Sequence, residues 1–225
     1  MMQGKLIVME GIDGSGKSTQ YRKLCERLES EGTQFRKVTF PRYDKESSAL
    51  IRAYLGGEFG QKPGDVNAFA ASTFYAVDRF ASFRTDWGEY YKQGGLVLCD
   101  RYTTSNACHQ GCKLDEAERQ SYLDWLYDFE FGRIGLPAPD LVIYLDVDIE
   151  VSRRQMAHRQ SETNTSADIH EKDFDYLSAC LEAGRYAAEH YGWKRIDCFD
   201  AQGNVREKDE KHEEIFRSIQ KAGLI

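Results

Sequence analysis

The sequence predicts an α/β fold in which helices cover both faces of a parallel sheet. Short, continuously apolar runs recur along the 225-residue chain, as in strands that are buried on both faces. The segments between these runs are long enough for crossover helices. The first run is residues 6–9, the run over 35–40 is weaker, those over 96–99 and 141–145 are clear, and the last is 195–199. We therefore expect a five-stranded parallel sheet flanked by helices, in a single three-layer domain that spans residues 1–225.

Helix signals fill the gaps between the predicted strands. Asp115 has the character of an N-cap, with Glu118 three residues later as its capping-box partner. The predicted helices span residues 18–30, 66–91, 150–159 and 173–190, and a further helix begins at residue 115. The helix over 66–91 has an apolar stripe that we expect to face the core. The stripe consists of Phe69, Ala70, Thr73, Phe74, Val77 and Ala81.

One segment between two predicted helices has no periodicity. Residues 160–167 (QSETNTSA) are polar throughout. Such a stretch is typical of a mobile flap over a site. We therefore predict a short lid over approximately residues 153–172.

Composition limits the kind of partner. The chain has 30 basic and 37 acidic residues, and the net charge of −7 argues against a nucleic-acid binder. No apolar run approaches the roughly 20 residues that span a bilayer, which argues against a membrane protein, and residues 1–5 lack the apolar region of a signal peptide. Six cysteines are scattered without a disulfide or zinc framework. We expect reduced thiols in a cytoplasmic protein, with metal binding by cysteine less favoured.

Residues 11–18 (GIDGSGKS) fit the phosphate-loop pattern G-x-x-x-x-G-K-[ST], between a predicted strand and a predicted helix. Backbone N–H groups of such a loop and the helix N-terminus favour phosphate oxygens. Lys17 can reach the β and γ phosphates of ATP, and Ser18 can hold Mg²⁺. The motif predicts a P-loop NTPase fold, but by itself it does not separate a kinase from an ATPase or a GTPase. The predicted ATP-binding residues of the loop are Gly11, Asp13, Gly14, Ser15, Gly16, Lys17, Ser18 and Thr19.

Four landmarks make the sequence resemble the bacterial thymidylate kinases across nearly the whole chain. They are residues 10–19 (EGIDGSGKST), 40–43 (FPRY), 74–79 (FYAVDR) and 100–102 (DRY). The resemblance implies ATP-dependent phosphorylation of dTMP to dTDP by direct in-line transfer, in dTTP biosynthesis, with Mg²⁺ and in a homodimer. The alternatives are a kinase for another nucleoside monophosphate or a deoxynucleoside, and a nucleotide-binding regulator without turnover.

The resemblance implies how sugar and phosphates are held. The Asp13 carboxylate would bond the 3′-hydroxyl of the acceptor, and Arg42 would grip the acceptor's phosphate. Asp100 is placed like a Walker B acid that orients Mg²⁺ through water. Arg101 would lie between the donor and acceptor phosphates.

The resemblance also implies a base pocket. Tyr75 would stack on thymine, Arg79 would donate to a base carbonyl, and Ser105 and Asn106 would line the pocket. Taken alone, Tyr75 and Arg79 would be read as a pair four residues apart on a solvated helix face. His109 stands where many relatives carry a tyrosine near the sugar.

A catalytic arginine of this family lies either in the phosphate loop or in the lid. The loop position here is Gly14, so the resemblance is to the lid-arginine type. Arg159 matches the lid arginine best, and Arg153 and Arg154 are weaker candidates, with Arg154 expected at the ATP. A solvated basic helix face is the alternative for these arginines. Glu171 is expected to organise the closed lid.

Overall fold

The computed structural model describes residues 4–163, 169–170, 173–200 and 202–225, with side chains in the helix that ends at Thr163 described as far as residue 157. The strands in these residues are β1 (Lys5–Glu10), β2 (Phe35–Thr39), β3 (Leu96–Asp100), β4 (Leu141–Asp146) and β5 (Lys194–Asp197). They form a parallel five-stranded sheet in the order β2-β3-β1-β4-β5. Each predicted apolar run falls on a strand, so the predicted sheet is confirmed.

Helices connect the strands. They are α1 (Lys17–Ser30), α2 (Ala49–Leu55), α3 (Ala68–Ser82), α4 (Gly88–Lys92), α5 (Thr103–His109), α6 (Glu116–Tyr127), α7 (Ile149–Thr163), α8 (Phe174–His190) and α9 (Lys208–Lys221). π-helical turns at Phe83–Trp87 and Asp128–Arg133 follow α3 and α6. Asp115 caps α6 as predicted, because its side chain accepts a hydrogen bond from the backbone N–H of Glu118 at 2.9 Å. Across the described residues, no helix has the length and apolar character needed to cross a membrane.

The sheet separates two apolar cores. Successive side chains of a strand point to opposite faces. Leu6 and Val8 of β1 therefore pack in one core with residues of α5 and α6, and Ile7 and Met9 pack in the other with residues of α1 and α9. All four side chains are fully buried, and burial of one such side chain stabilises the fold by roughly 1.5–3 kcal/mol. The predicted three-layer arrangement is confirmed.

The carboxyl ends of β1, β2 and β3 meet at one edge of the sheet. Asp100 pairs in register with Met9 on one side and with Thr39 on the other. The backbone N–H of Arg101 donates to the Met9 carbonyl at 3.1 Å, and that of Phe40 donates to the Asp100 carbonyl at 3.0 Å. The loop after each of these strands therefore begins at the same edge, which is where parallel sheets bind ligands.

The predicted core face of the helix over 66–91 is wrong. Phe69 and Val77 are 41% and 53% exposed. The buried face of α3 instead carries small and polar side chains, namely Ala68, Ala71, Ser72, Ala76, Asp78, Arg79 and Ser82. Its two charged members can be buried because each has an ion-pair partner.

The predicted flap is partly helical. Because α7 continues to Thr163, the expectation that residues 160–167 are irregular is wrong for the first four of them. Residues 160–163 contain neither glycine nor proline, so nothing in them opposes helix formation strongly. Residues 164–168 and 171–172 of the predicted lid lie outside the described residues.

Candidate active site

A cavity of about 340 Å³ opens at the carboxyl edge of the sheet. The predicted site residues that line it are Asp13, Lys17, Ser18, Tyr75, Arg79, Asp100, Arg101, Ser105 and Asn106. A second cavity, of about 200 Å³, is lined by residues 12–19 of the phosphate loop and by Gln155 and Met156 of α7. The fold thus brings residues from all four sequence landmarks to one place.

Ser152 of α7 packs against the phosphate loop. Gly14 has a φ of 72°, which favours glycine, and a Cβ at this position would lie 2.3 Å from the Ser152 carbonyl oxygen. The Ser152 hydroxyl donates a hydrogen bond to the Asp13 carbonyl oxygen at 2.5 Å. Position 14 therefore has no room for a side chain, an arginine included.

Lys17 and Asp100 form a buried pair beneath the loop. Lys17 Nζ lies 3.4 Å from Asp100 Oδ1. Burial, followed by the charge of Arg101, lowers the pKa of Lys17. Within the described part of the chain, the buried Ser15 hydroxyl makes no hydrogen bond, and the buried Asp100 Oδ1 makes none beyond its ion-pair contact with Lys17. Buried polar atoms normally have partners, so these two atoms are available to a ligand.

The side chains near Lys17 fit Mg²⁺. Ser18 is exposed and lines the same cavity as Asp100. Hydroxyl and carboxylate oxygens are ligands that Mg²⁺ prefers. Residues 4–157, 169–170, 173–200 and 202–225 contain no group of three His, Cys, Asp or Glu side chains that could hold a metal by themselves. A Mg²⁺ ion here would therefore complete its coordination with phosphate oxygens and water.

Arg101 joins the end of β3 to the phosphate loop. Its φ of 65° is left-handed, which costs a non-glycine residue roughly 1–2 kcal/mol. The guanidinium donates to Asp13 Oδ1 at 2.5 Å and lies 3.6 Å from Glu10 Oε1. Burial alone would lower the pKa of Arg101, but the carboxylates of Asp13 and Glu10 outweigh burial and raise it. We call Glu10, Asp13, Lys17, Asp100 and Arg101 the Lys17 cluster.

A second cluster surrounds Glu130, which sequence reasoning missed. Arg79 is only 1% exposed, and its Nε and Nη2 donate to Glu130 Oε2 and Oε1 at 2.7 and 2.5 Å. Thr103 Oγ1 and Asn106 Nδ2 donate to the same carboxylate at 2.7 and 3.4 Å. We call Arg79, Thr103, Asn106 and Glu130 the Arg79 cluster. Its burial excludes the alternative of Tyr75 and Arg79 on a solvated face.

Ser105 also has a partner that sequence reasoning missed. Its hydroxyl and that of Thr104 each donate to Glu10 Oε2 at 2.7 Å. The backbone N–H of Gly11 donates to Glu10 Oε1 at 2.9 Å. Glu10 is fully buried, so these bonds compensate the loss of water around its carboxylate.

Arg42 lies next to the cavity rather than among the residues that line it. Its Nε donates to Asp78 Oδ1 at 3.2 Å, and its Nη2 donates to the Ser47 hydroxyl at 3.1 Å. Its neighbours Pro41 and Tyr43 do line the cavity. The Arg42 charge is therefore balanced by Asp78 in this structure.

His170 and Gln110 also line the cavity and were not predicted. The rings of His109 and His170 are stacked with centroids 6.0 Å apart, and His170 Nε2 lies 2.8 Å from Tyr54 Oη. Burial, followed by the charge of Arg101, lowers the pKa of His109 to about 4. Both polar atoms of the Gln110 amide are buried without a partner among the described residues, so they are available to a ligand. The sequence feature that could have indicated a role for Gln110 is its position directly after His109.

Of the three candidate lid arginines, the structure describes the side chains of Arg153 and Arg154. Arg153 is 63% exposed and forms an ion pair with Glu150 at 3.0 Å, as the alternative of a basic helix face expects. Arg154 is exposed on α7 and is not among the residues that line either cavity. The side chain of Arg159 and the whole of Glu171 lie outside the described residues.

Most of the sequence matches one known protein family. The family model of thymidylate kinase matches residues 9–215. The chain is 34% identical to the thymidylate kinase of Mycobacterium tuberculosis over 170 residues, which are 75% of this chain and 78% of that protein. It is 29% identical to the thymidylate kinase of Pelotomaculum thermopropionicum over 200 residues, which are 89% of this chain and 87% of that protein.

The fold has solved counterparts as well. It is similar to that of a thymidylate kinase from Candida albicans, with a TM-score of 0.70 and 19% identity across 99% of this chain and 93% of that chain. This likeness agrees with the P-loop NTPase fold expected from the phosphate loop. With the family model matching most of the sequence, the chain belongs to the thymidylate kinase family of phosphotransferases.

Proposed function

We propose that this chain is an ATP-dependent thymidylate kinase that converts dTMP to dTDP for dTTP synthesis. The observation that carries the proposal is a cavity lined both by Lys17 and Ser18 of the phosphate loop and by Arg79 and Asn106 of the Arg79 cluster. Arg101 lines the same cavity and contacts the loop through Asp13. Such a cavity suits the terminal phosphate of a donor together with the base of an acceptor.

ATP binds at the phosphate loop. The backbone N–H groups of residues 11–19 and the N-terminus of α1 attract its phosphates, and Lys17 offsets their charge. Arg154 approaches the nucleotide from α7. Ser18 and, through water, Asp100 would hold Mg²⁺, which would offset the negative charge of the donor phosphates.

The acceptor's sugar and phosphate lie against the Lys17 cluster. The Asp13 carboxylate bonds the 3′-hydroxyl, and Arg101 contacts the acceptor's phosphate. Arg42 grips that phosphate by a fork of charge-assisted hydrogen bonds. For this contact the Arg42 guanidinium leaves the Asp78 carboxylate and binds the phosphate, which carries more negative charge.

The acceptor's base lies against α3 and α5. Tyr75 stacks on thymine, while Arg79 donates to a base carbonyl. Ser105 and Asn106 line this part of the pocket. These side chains line the same cavity as Lys17, which supports the proposal that the base and the transferable phosphate share one space.

Transfer needs alignment and charge stabilisation rather than a covalent intermediate. The attacking phosphate oxygen is already ionised, so no general base is required. Lys17, Arg101 and Arg159 offset the charge of the γ-phosphoryl group in the transition state. With position 14 closed to a side chain, the third of these charges comes from the lid.

The test is a coupled ADP-release assay with Mg-ATP and a panel of acceptors. The panel contains dTMP, dUMP, dCMP, AMP, GMP and UMP, with thymidine as the unphosphorylated control. We expect the highest kcat/KM for dTMP and little turnover of thymidine, because Arg42 has no phosphate to bind there. Preference for another monophosphate would contradict the base pocket but keep the mechanism. ATP binding with no product from any acceptor would favour a regulator. Neither alternative has support among the comparisons.

The assembly and location are part of the same proposal. Phe69, Val77 and Phe80 form an exposed apolar face on α3, which suits the interface of a homodimer. Light scattering after size exclusion tests this, and a monomer at micromolar concentration would contradict it. All six cysteines are free thiols, which is the usual state of cysteine in the cytoplasm.

A further inference from the structure

Glu130 lies behind the wall of the cavity. It belongs to the π-helical turn Asp128–Arg133 and is fully buried, yet it is not among the residues that line the cavity. Its carboxylate accepts hydrogen bonds from Arg79, Thr103 and Asn106. Arg79 and Asn106 do line the cavity. Glu130 can therefore act on a ligand through these two side chains.

The first effect is on Arg79. Its Nε and Nη2 are held by the two oxygens of Glu130, and its Nη1 donates to the Tyr102 carbonyl at 3.3 Å. This fork fixes the plane of the guanidinium. Because Glu130 balances the charge of Arg79, the pair offers hydrogen-bond donors without a net charge. Such a pair suits a neutral carbonyl better than a phosphate.

The second effect is on Asn106. Its Nδ2 donates to Glu130 Oε1 at 3.4 Å and to the Ser72 carbonyl oxygen at 3.3 Å. An amide nitrogen carries two hydrogens, so both are used and Oδ1 remains as an acceptor. An ionised carboxylate can only accept hydrogen bonds. Glu130, together with the Ser72 carbonyl, therefore favours this orientation of the Asn106 amide over the flipped one.

We propose that Glu130 is a positioning residue that sets the hydrogen-bonding polarity of the cavity and so selects the acceptor's base, an inference that rests on the proposed function. A donor from Arg79 beside an acceptor from Asn106 matches a pyrimidine with a carbonyl beside a ring N–H, as in thymine. Cytosine has an amino group beside an unprotonated ring nitrogen. It is therefore mismatched at both positions.

The test compares dTMP with dCMP as acceptors for Glu130→Gln. Glutamine has nearly the same shape, but its amide nitrogen is a donor and permits the flipped amide of Asn106. We expect the ratio of kcat/KM for dTMP to that for dCMP to fall by about tenfold or more. The KM for ATP should not change. Loss of folded protein would lower both rates alike and leave the ratio unaltered.

Thr103→Val is the matched control. It removes another hydrogen bond to the same carboxylate and leaves Arg79 and Asn106 in place. We expect a lower melting temperature with an unchanged dTMP-to-dCMP ratio. An unchanged ratio in folded Glu130→Gln would overturn the proposal.

Removal of one partner of a buried ion pair is often severely destabilising. A second variant is therefore needed in case Glu130→Gln does not fold. If circular dichroism shows that Glu130→Gln is unfolded, Glu130→Asp decides, because it keeps the charge but shortens the reach. A raised KM for dTMP at unchanged KM for ATP supports the proposal, and an unchanged KM for dTMP overturns it. Wild-type protein that does not phosphorylate dTMP would instead contradict the proposed function.

Discussion

The two clusters that line the cavity are built differently. In the Arg79 cluster the cation pairs with Glu130, a carboxylate behind the cavity wall that a ligand does not reach. In the Lys17 cluster the cations pair with Asp13 and Asp100, which themselves line the cavity. Asp100 Oδ1 makes no hydrogen bond among the described residues beyond its ion-pair contact, and Glu10, 3.6 Å from Arg101, is the one carboxylate of the cluster that does not line the cavity.

This difference indicates that the two clusters have different roles, one in selecting the ligand and the other in turnover. A pair behind the wall has its geometry before a ligand arrives, so it can select among ligands. Pairs within the wall must rearrange when phosphate anions enter, because the anions compete with the carboxylates for the same cations. We therefore expect changes at Arg79, Asn106 or Glu130 to alter acceptor choice, and a change at Thr103, which does not line the cavity, to alter stability alone. Changes around the Lys17 cluster should alter turnover.

The largest effect should come from Arg159→Ala. The described cations of the Lys17 cluster are already paired with carboxylates, so the proposed mechanism adds a further positive charge from the lid. We expect kcat to fall by about 10³-fold, as for arginines that stabilise phosphoryl transfer in other enzymes. Steady-state kinetics at saturating ATP and dTMP measure it.

Arg153→Ala is the control for this variant. Arg153 lies on the same helix and forms an ion pair with Glu150 at the surface. Its loss should therefore leave kcat nearly unchanged. A loss for Arg159→Ala below about threefold would contradict the lid assignment and, with it, the different roles of the two clusters.

His109 should make the fold sensitive to acid. Its pKa of about 4 lies below the ordinary histidine value of 6.5, because burial and the charge of Arg101 favour the neutral ring. The unfolded chain therefore binds a proton that the folded protein excludes, and stability is lost as pH falls from 6.5 toward 4. The part due to His109 is about 2 kcal/mol at pH 5.

Urea unfolding at pH 7.5, 6 and 5 tests this with His109→Gln. The variant should lose less free energy of unfolding between pH 7.5 and 5 than the wild type. His190→Gln, which alters an exposed histidine, is the control. Parallel pH profiles for wild type and His109→Gln would show that burial of this ring is not maintained in solution.

The parts of the molecule that the sequence predicted depend on local patterns. The apolar run of β1 and the glycine motif after it are contiguous, and parallel strands bring the ends of separate runs to one edge. Asp100 and Arg101 could therefore be placed beside Lys17 from sequence. The capping role of Asp115 was predictable for the same reason, since the capping carboxylate and the N–H that donates to it are three residues apart.

The Arg79 cluster was not predictable, because its partners are distant in sequence. Arg79 and Glu130 are 51 residues apart, and no local pattern distinguishes a buried glutamate in a π-helical turn from an exposed one. The same pair explains the misassigned face of α3. Periodicity analysis assumes that apolar side chains face inward. A paired arginine lies on the buried face instead, while Phe69 and Val77 remain 41% and 53% exposed.

A smaller effect should separate two glycines of the phosphate loop. Gly14→Ala and Gly16→Ala both place a side chain at a left-handed φ, of 72° and 85°. At Gly14 the new Cβ would lie 2.3 Å from the Ser152 carbonyl oxygen, whereas at Gly16 it meets nothing within 4 Å. The collision should cost about 1–3 kcal/mol more. Gly14→Ala should therefore melt at least about 2 °C below Gly16→Ala.

The melts are measured without nucleotide, so that lost contacts to ATP do not enter the comparison. Ser152→Ala added to Gly14→Ala should not restore stability, because the collision is with backbone. Equal melting temperatures for the two glycine variants would indicate that α7 is not seated on the loop as described.

The smallest effect should come from the cap of α6. Asp115→Ala removes the acceptor for the Glu118 N–H and should cost about 1 kcal/mol, or about 2–4 °C in melting temperature. Asp115→Asn should retain most of the stability, because asparagine also caps helices well. α6 carries Tyr122, whose hydroxyl contacts the Ser72 hydroxyl and the Asn106 carbonyl. If the Arg79 cluster is fixed by its own buried ion pair, the KM for dTMP should not change in Asp115→Ala. A clear rise in this KM would mean that the cluster depends on α6 for its geometry, and the proposed contrast with the Lys17 cluster would fail.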